Sequence, residues 1–249
     1  MRIVAIVITG IALLLTAVAA LAPATLVDRR LAAATAGRLR IADAAGTVWN
    51  GRGLLTDATN TWRVPLAWTV STGALIRGAL QVAVTPAGGG ETPHGTIDLT
   101  SDTASLREFV FDVPAATLAG ALPPRSAVTL GGSVSLESPS FDWNGQNGAG
   151  TLNARWRGAR LVAAGAVADL GTVDVTLAPQ DQRVVGHIGN TGGDVRIDGT
   201  IAIAGGTASI DAAVTPAASA PAHIASALAA LGTPDGGGTV RIAWRGSLR

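Results

Sequence analysis

The chain has 249 residues, of which 48% are hydrophobic and 14% are charged, and this composition is too apolar for a disordered protein. It contains no cysteine, which excludes a disulfide framework, a thiolate zinc site and a cysteine nucleophile. All 18 basic residues are arginine, and they are scattered among 17 acidic residues to give a net charge of +1, so no basic stripe indicates nucleic acid as a partner.

The N-terminal stretch predicts a membrane-spanning helix. The run from Ile3 to Val27 contains no charged side chain, and a helix of that length reaches roughly 37 Å, more than the hydrocarbon core of a bilayer at about 30 Å. Ala17-Val18-Ala19 has the small residues of a signal-peptide cleavage site, but the apolar run is longer than that of a typical signal peptide. We therefore predict an uncleaved transmembrane signal anchor over residues 1–27.

The orientation of this predicted anchor rests on the size of the chain that follows it. A count of positive charges favours a cytoplasmic C-terminus, because four arginines closely follow the apolar run. Long domains cross membranes largely regardless of charge, however, and the remaining chain is typical of a large glycine-rich β-domain. We therefore predict a single-pass protein whose residues 28–249 form a β-rich periplasmic domain. The four arginines are Arg29, Arg30, Arg38 and Arg40.

The segment after the apolar run predicts a short helix and then many strands. Leu26 to Thr35 is alanine-rich, with Asp28 near its start and Gly37 as its stop. Beyond it, apolar residues alternate with polar ones, which is typical of antiparallel strands with one buried face. Clusters of glycine and asparagine between the strands predict hairpin turns and a mostly meandering sheet. The alternating apolar residues are Leu39/Ile41, Ile97/Leu99, Val134/Leu136, Leu152/Ala154/Trp156, Val173/Val175/Leu177, Val195/Ile197, Ile201/Ile203 and Val240/Ile242/Trp244.

Two further short helices and an internal repeat complete the predicted fold. Val113–Pro124 is a helix candidate bounded by prolines, and residues 219–232 form a stronger one with Pro221 in its first turn. The segments GTLNARWRG (150–158) and GTVRIAWRG (238–246) match at corresponding offsets, which predicts equivalent strands in two similar β-layers, about 38–125 and 126–249. The predicted fold class is mainly β: an N-terminal transmembrane helix, then an extended, curved antiparallel sheet with two or three short helices.

No constellation of side chains predicts catalysis. The three histidines, His94, His187 and His223, are far apart and match no metal-binding spacing. Serine and glycine motifs of hydrolases and nucleotide-binding proteins are absent from the sequence. Asp194 and Asp198 flank Arg196 on one predicted strand face, where a solvated charge cluster is a better interpretation than an acid–base pair. We therefore predict no enzyme activity, no catalytic residue, no metal and no cofactor.

The six tryptophans lie in or beside predicted strands. An aromatic binding groove is possible, but large side chains that fill a β-layer core are the more common arrangement. The alternation predicts core positions for Trp68, Trp156 and Trp244. Trp49 is less clear, because the pattern places Val48 and Trp49 on opposite faces of one strand.

Several segments together resemble the type II secretion system protein N family. These are the N-terminal apolar run, the short helix, GRLRIADAAGTVWNGRG, WRVPLAWTVSTGALIRGALQVAV, the alanine-rich helix near residue 225 and GTPDGGGTVRIAWRGSL. The sharpest part is Gly46-Thr47-Val48-Trp49-x-Gly51, followed by Leu66-x-Trp68 and Leu75-x-x-Gly78. The family-motif or structural residues predicted from these segments and from the internal repeat are Gly46, Thr47, Val48, Trp49, Gly51, Trp68, Gly78, Trp156, Trp244 and Gly246.

The resemblance implies a non-enzymatic scaffold or accessory protein of the inner membrane that assists export of folded proteins across the outer membrane. It implies contacts with other inner-membrane components of that system and with the secretin, and it implies no small-molecule substrate. Lipid-handling envelope proteins of the AsmA and TamB kind share a similar glycine–tryptophan strand and remain the alternative. In them the apolar face of the sheet stays open to acyl chains, whereas in a scaffold tryptophan and leucine fill it.

Overall fold

The computed structural model describes residues 21–58, 60–88, 90–117, 128–163, 166–231 and 233–247. The chain divides into two compact units, one ending at His94 and the other beginning at Gly95. Over the described residues it is mainly β, with fourteen strands and three helices. The prediction of a mainly β chain with antiparallel strands is confirmed, whereas the predicted division into layers at about residue 125 stays a prediction.

The first unit is a four-stranded antiparallel meander flanked by two helices. Its strands pair in sequence order, with a bulge in β1 between Ala42 and Ala45. Strand β3 alternates strictly between exposed and buried positions at its start, so that Val64, Leu66 and Trp68 face the core. The elements are α1 (Thr25–Ala34), β1 (Leu39–Gly46), β2 (Asn50–Asp57), β3 (Arg63–Val70), α2 (Thr72–Ile76) and β4 (Leu80–Pro86).

The second unit is a longer sheet whose strands also follow chain order. The hydrogen-bonded order is β5-β6-β7-β9-β10-β11-β12-β13-β14, and the short strand β8 pairs with β7 beside this path. The elements are β5 (His94–Leu99), β6 (Ala104–Pro114), β7 (Val128–Trp143), β8 (Gly148–Gly150), β9 (Leu152–Ala163), β10 (Ala166–Gln180), β11 (Arg183–Thr191), β12 (Val195–Ala204), β13 (Thr207–Pro216), α3 (Ala222–Leu231) and β14 (Val240–Ser247).

Helix α3 covers one end of the second sheet. Ile224 and Leu228, one turn apart, pack with Val195, Val214 and Val240 from β12, β13 and β14. Ile224 is 2% exposed and Val240 is fully buried, and burying each such side chain stabilises the fold by about 1.5–3 kcal/mol before conformational entropy is counted. This cluster therefore forms a hydrophobic core between α3 and the last three strands of the second unit.

Two of the three predicted helices are confirmed. Helix α1 begins and ends one residue before the predicted Leu26–Thr35. Helix α3 lies within the predicted range 219–232. The helix predicted over Val113–Pro124 does not begin where expected, because its first two residues are the end of strand β6. Its residues 118–124 lie outside the described residues. Helix α2 was not predicted, since five residues give too little periodicity to recognise.

The predicted transmembrane helix is corrected by the structure. Residues 1–20 lie outside the described residues, but the remaining part of the predicted span is not one helix. Pro23 forms an isolated β-bridge with Thr47, and α1 begins only at Thr25 and continues through three charged residues. In the part of the chain that the structure describes, no helix has the length and apolar character needed to cross a membrane. The prediction of a membrane-spanning helix that ends at Val27 is therefore wrong.

Candidate functional site

The sharpest sequence motif forms the turn between β1 and β2. Gly46 has a φ of +93°, and a Cβ there would lie 2.5 Å from the Asn50 carbonyl oxygen, so the turn requires glycine at this position. The Thr47 amide donates to the Asn50 carbonyl at 2.9 Å, and the Asn50 amide donates to the Thr47 hydroxyl at 3.1 Å. Val48 and Trp49 are turn residues, so the prediction that they occupy opposite faces of one strand is wrong.

Trp68 packs from β3 onto this turn. It is opposite Gly51 in the β2–β3 register, and a Cβ at Gly51 would lie only 2.4 Å from the Cζ2 atom of its indole. The indole Nε1 donates to the Val48 carbonyl at 3.0 Å. With 5% exposure, Trp68 is a core residue, as predicted. The missing side chain of Gly51 thus makes room for an indole that also ties down the turn.

Two other segments join the same turn by backbone hydrogen bonds. The Ala24 amide donates to the Gly46 carbonyl at 3.1 Å, and the Val48 amide donates to the Ala22 carbonyl at 2.8 Å. On the other side, the Val70 amide donates to the Trp49 carbonyl at 2.7 Å. The turn therefore holds together the segment before α1, the first hairpin and the end of β3.

An ion pair that the sequence did not predict fixes α1 against β1. Arg40 donates from Nε and from one terminal nitrogen to the two carboxylate oxygens of Asp28, at 2.8 and 2.7 Å. The buried Ile41 amide also donates to Asp28, at 2.8 Å. The hydrogen bond from Arg40 is the largest cause that lowers the pKa of Asp28 below its ordinary value. Asp28 lies inside α1 and does not cap it, so sequence periodicity alone could not have paired it with Arg40.

We expect Asp28→Asn to lower the free energy of unfolding by about 1–2 kcal/mol, since hydrogen bonds to charged groups are typically worth about 1.5–3 kcal/mol and one amide oxygen remains as an acceptor. Chemical denaturation monitored by circular dichroism measures the change. Asp211→Asn is the matched control, because Asp211 accepts from Arg241 on an exposed strand face, and exposed ion pairs contribute little. Equal losses for the two variants would contradict a special role for Asp28.

The pH dependence of this pair has a definite sign. Because the pKa of Asp28 is lowered in the folded chain, its stabilisation is complete above the unfolded carboxyl pKa, which is about 4. The stabilisation is lost as the pH falls from there through the lower folded pKa. The difference in stability between the native chain and Asp28→Asn should therefore shrink as the medium is acidified below about pH 4.

Gly78 ends the connection that contains α2. The Ser71 hydroxyl accepts from the Ala74 amide at 3.3 Å and caps the start of this helix. At its end, Gly78 has a φ of +78°, and its amide donates to the Leu75 carbonyl at 2.9 Å. Glycine at this position lets the chain leave the helix and enter β4.

The predicted residues of the second unit do not form one site. Trp156 lies in β9, half-buried, and its Nε1 donates to the Gly131 carbonyl at 2.7 Å. Trp244 lies in β14, and four strands separate it from β9 in the order of the sheet. Its indole covers Gly246, where a Cβ would lie 2.3 Å from Cζ2. Trp244 is 42% exposed, so the prediction that it is a core residue is wrong.

The polar side chains singled out in the sequence make local structural contacts. His94 Nδ1 lies 2.7 Å from the Glu91 carbonyl, and Asp194 accepts from the Asp169 amide at 3.0 Å. Asp194 lies in the turn before β12 and not on the strand face with Asp198. Over the described ranges, no three residues among histidine, aspartate and glutamate are grouped as metal ligands. The arrangement around Trp68 is a turn held by backbone hydrogen bonds and by one indole donor, with no catalytic group among these contacts.

A known protein family matches this chain. The family model described as type II secretion system (T2SS), protein N matches residues 37–243. Searches of curated proteins and of solved structures give no significant match. The matched range includes the predicted motif residues from Gly46 to Trp156. It ends just before Trp244 and Gly246. Because the match covers most of the 249 residues, the chain belongs to the type II secretion system protein N family.

Proposed function

We propose that this type II secretion component is a non-enzymatic scaffold or accessory protein at the inner membrane, with its β-rich residues 28–249 in the periplasm. In this role it contacts other inner-membrane components of the system and the secretin. In this proposal the motif residues around Trp68 have a structural role, since they hold the β1–β2 turn in place. Family membership supports the assignment to secretion, and the open edge of β14 supports contact through an added strand.

The edge of β1 is already occupied by the chain itself. The Ile41 amide donates to the Asp28 carboxylate, and the Leu39 amide donates to the Thr35 hydroxyl at 3.1 Å. At the other end of the strand, the Gly46 carbonyl accepts from Ala24. A strand edge whose donors and acceptors are satisfied is protected against pairing with another chain.

The edge of β14 is different. β14 ends the strand order and, over the described residues, pairs with β13 alone. Apart from that pairing, the structure describes no backbone hydrogen bond from residues 240–247. Ala243, Trp244 and Arg245 are exposed along it. An open, eight-residue edge can accept a partner's extended strand through main-chain hydrogen bonds.

Site-specific photo-crosslinking tests this proposal. A benzophenone amino acid placed at Ala243 or Arg245 should crosslink to another type II secretion component in intact envelopes. The benzophenone amino acid at position 38 is the control, since Arg38 is also exposed but precedes the closed edge of β1. We expect crosslinks from β14 and none from position 38.

The absence of crosslinks from either β14 position, in variants that accumulate and resist proteolysis like the native chain, would refute contact through this edge. Crosslinks only to proteins outside the secretion system would refute the scaffold role itself.

A second candidate function, lipid handling, is favoured by one observation. A row of register partners crosses the second sheet from β10 to β14: Leu177, Gly186, Ile201, Ile210 and Trp244. The first four are half-buried and Trp244 is exposed, so this part of the apolar face is only partly filled. An open apolar face of this kind suits acyl chains. Stoichiometric lipid bound to the purified chain in native mass spectrometry would favour this candidate over the scaffold.

A further inference from the structure

Three segments meet at one end of the first unit, and we call this place the apolar end. It consists of residues 21–24, 46–50 and 70–80. The hydrogen bonds from Val48 to Ala22 and from Val70 to Trp49, at 2.8 and 2.7 Å, join the three segments directly. The three segments of the apolar end are therefore adjacent in the folded chain, although they are distant in the sequence.

Large apolar side chains are exposed at this end. Ile76 is 88% exposed and Leu21 is 74% exposed, while Leu75 and Leu80 are each more than a third exposed. Ala74, by contrast, is 2% exposed and fixes α2 to the unit. The Ser71 cap and the Gly78 turn hold both ends of this short helix. Leu75 and Ile76 are therefore exposed to solvent on a helix whose two ends are held in place. Burying these two side chains against another apolar surface would be favourable.

The charges of the apolar end indicate what it contacts. Its three segments contain no aspartate or glutamate and one cation, Arg77. The chain that enters it before Leu21 has no charged side chain from Ile3 onward. Exposed aliphatic side chains beside an arginine, with no carboxylate among them, suit the boundary between acyl chains and anionic head groups. A half-buried tryptophan, Trp49, at the same end fits this boundary.

We propose that the apolar end rests on the surface of an anionic lipid bilayer, with Leu75 and Ile76 below the head groups and Arg77 among the phosphates. This contact involves the first unit only. It does not depend on the strand addition proposed for β14, and either proposal can fail without the other.

The native chain contains no cysteine, so one introduced thiol can report on a single place. The full chain carrying Ile76→Cys, labelled with bimane, is mixed with vesicles of phosphatidylethanolamine and phosphatidylglycerol that contain acyl-chain nitroxide lipid. Ala58→Cys is the matched control, because it is exposed in the β2–β3 connection, at the opposite end of the strands. We expect the nitroxide to quench the label at position 76 and to leave the label at position 58 unchanged.

A further variant separates lipid contact from a general affinity for vesicles. Arg77→Glu in the Ile76→Cys chain should weaken quenching on vesicles with phosphatidylglycerol and change it little on phosphatidylcholine vesicles, since only the former attract the cation. Unquenched label at position 76 on vesicles that carry the chain, or equal quenching at positions 76 and 58, would overturn the proposal. So would a chain that does not float with the vesicles, or a thiol crosslinker at position 76 that captures a protein in envelopes.

Discussion

Replacing Trp68 with alanine is expected to lower the free energy of unfolding of the first unit by about 3–5 kcal/mol, the usual cost of deleting a buried tryptophan. The indole is 5% exposed, fills the space above Gly51, and is the donor to the Val48 carbonyl. Its removal therefore leaves a cavity and an unpartnered carbonyl at the turn that joins three segments. No other single side chain in the first unit combines these contacts over the described residues.

Denaturant unfolding with hydrogen exchange of amides in residues 46–70 measures this loss and assigns it to the first unit. Trp68→Phe keeps an aromatic ring but loses the indole N–H donor. Because the ring still fills part of the space, this variant should lose less free energy of unfolding than Trp68→Ala. Trp244→Ala is the control of the same residue type, because Trp244 is 42% exposed, and a largely exposed side chain usually contributes little. Similar losses for Trp68→Ala and Trp244→Ala would contradict the role assigned to Trp68.

The alternation of apolar residues was sufficient to predict a mainly β chain with antiparallel strands. Strands with one buried face alternate with period two, as in Val64, Leu66 and Trp68 of β3. Helix α3 was also predictable, since Ile224 and Leu228 recur at helical spacing and are buried on the sheet. Local periodicity carries this information because each strand or helix buries one face whatever its partner.

The pairing of distant residues was not predictable in the same way. Asp28 and Arg40 are charged residues on different elements, and nothing in their spacing shows that the carboxylate also accepts the Ile41 amide. Likewise, the lack of charge before Val27 suggested a continuous span, but the structure pairs Ala22 and Ala24 with the first hairpin. Charge content gives no information on where backbone donors and acceptors find their partners.

The tryptophans show the same distinction. Alternation predicted the core position of Trp68 but also placed Trp244 in a core, although β14 is the last strand and has no neighbour beyond it among the described residues. Alternation identifies the face of a sheet on which a side chain lies. It does not show whether another element covers that face, and α3 covers only one end of it.

The motif around Trp49 can now be explained as a tertiary arrangement. Gly46 supplies the positive φ of the turn, Thr47 closes it, and Gly51 leaves space for Trp68 from the next strand. Glycine and tryptophan thus occur together in the sequence pattern because each requires the other in space. The two residues should then depend on each other energetically.

We expect Gly51→Ala to lower the free energy of unfolding by about 1–3 kcal/mol, the usual cost of overpacking. The added Cβ would lie 2.4 Å from the Trp68 indole and 2.8 Å from the Thr47 carbonyl oxygen. In the Trp68→Ala background only the second contact remains, so the same substitution should cost at least about 0.5 kcal/mol less, a coupling that a double-mutant cycle resolves. Gly73→Ala is the control, because its Cβ would meet no atom closer than 3.9 Å and alanine favours helix α2. If the losses from Gly51→Ala and Trp68→Ala simply add, the indole does not depend on the glycine, and the spatial explanation of the motif is wrong.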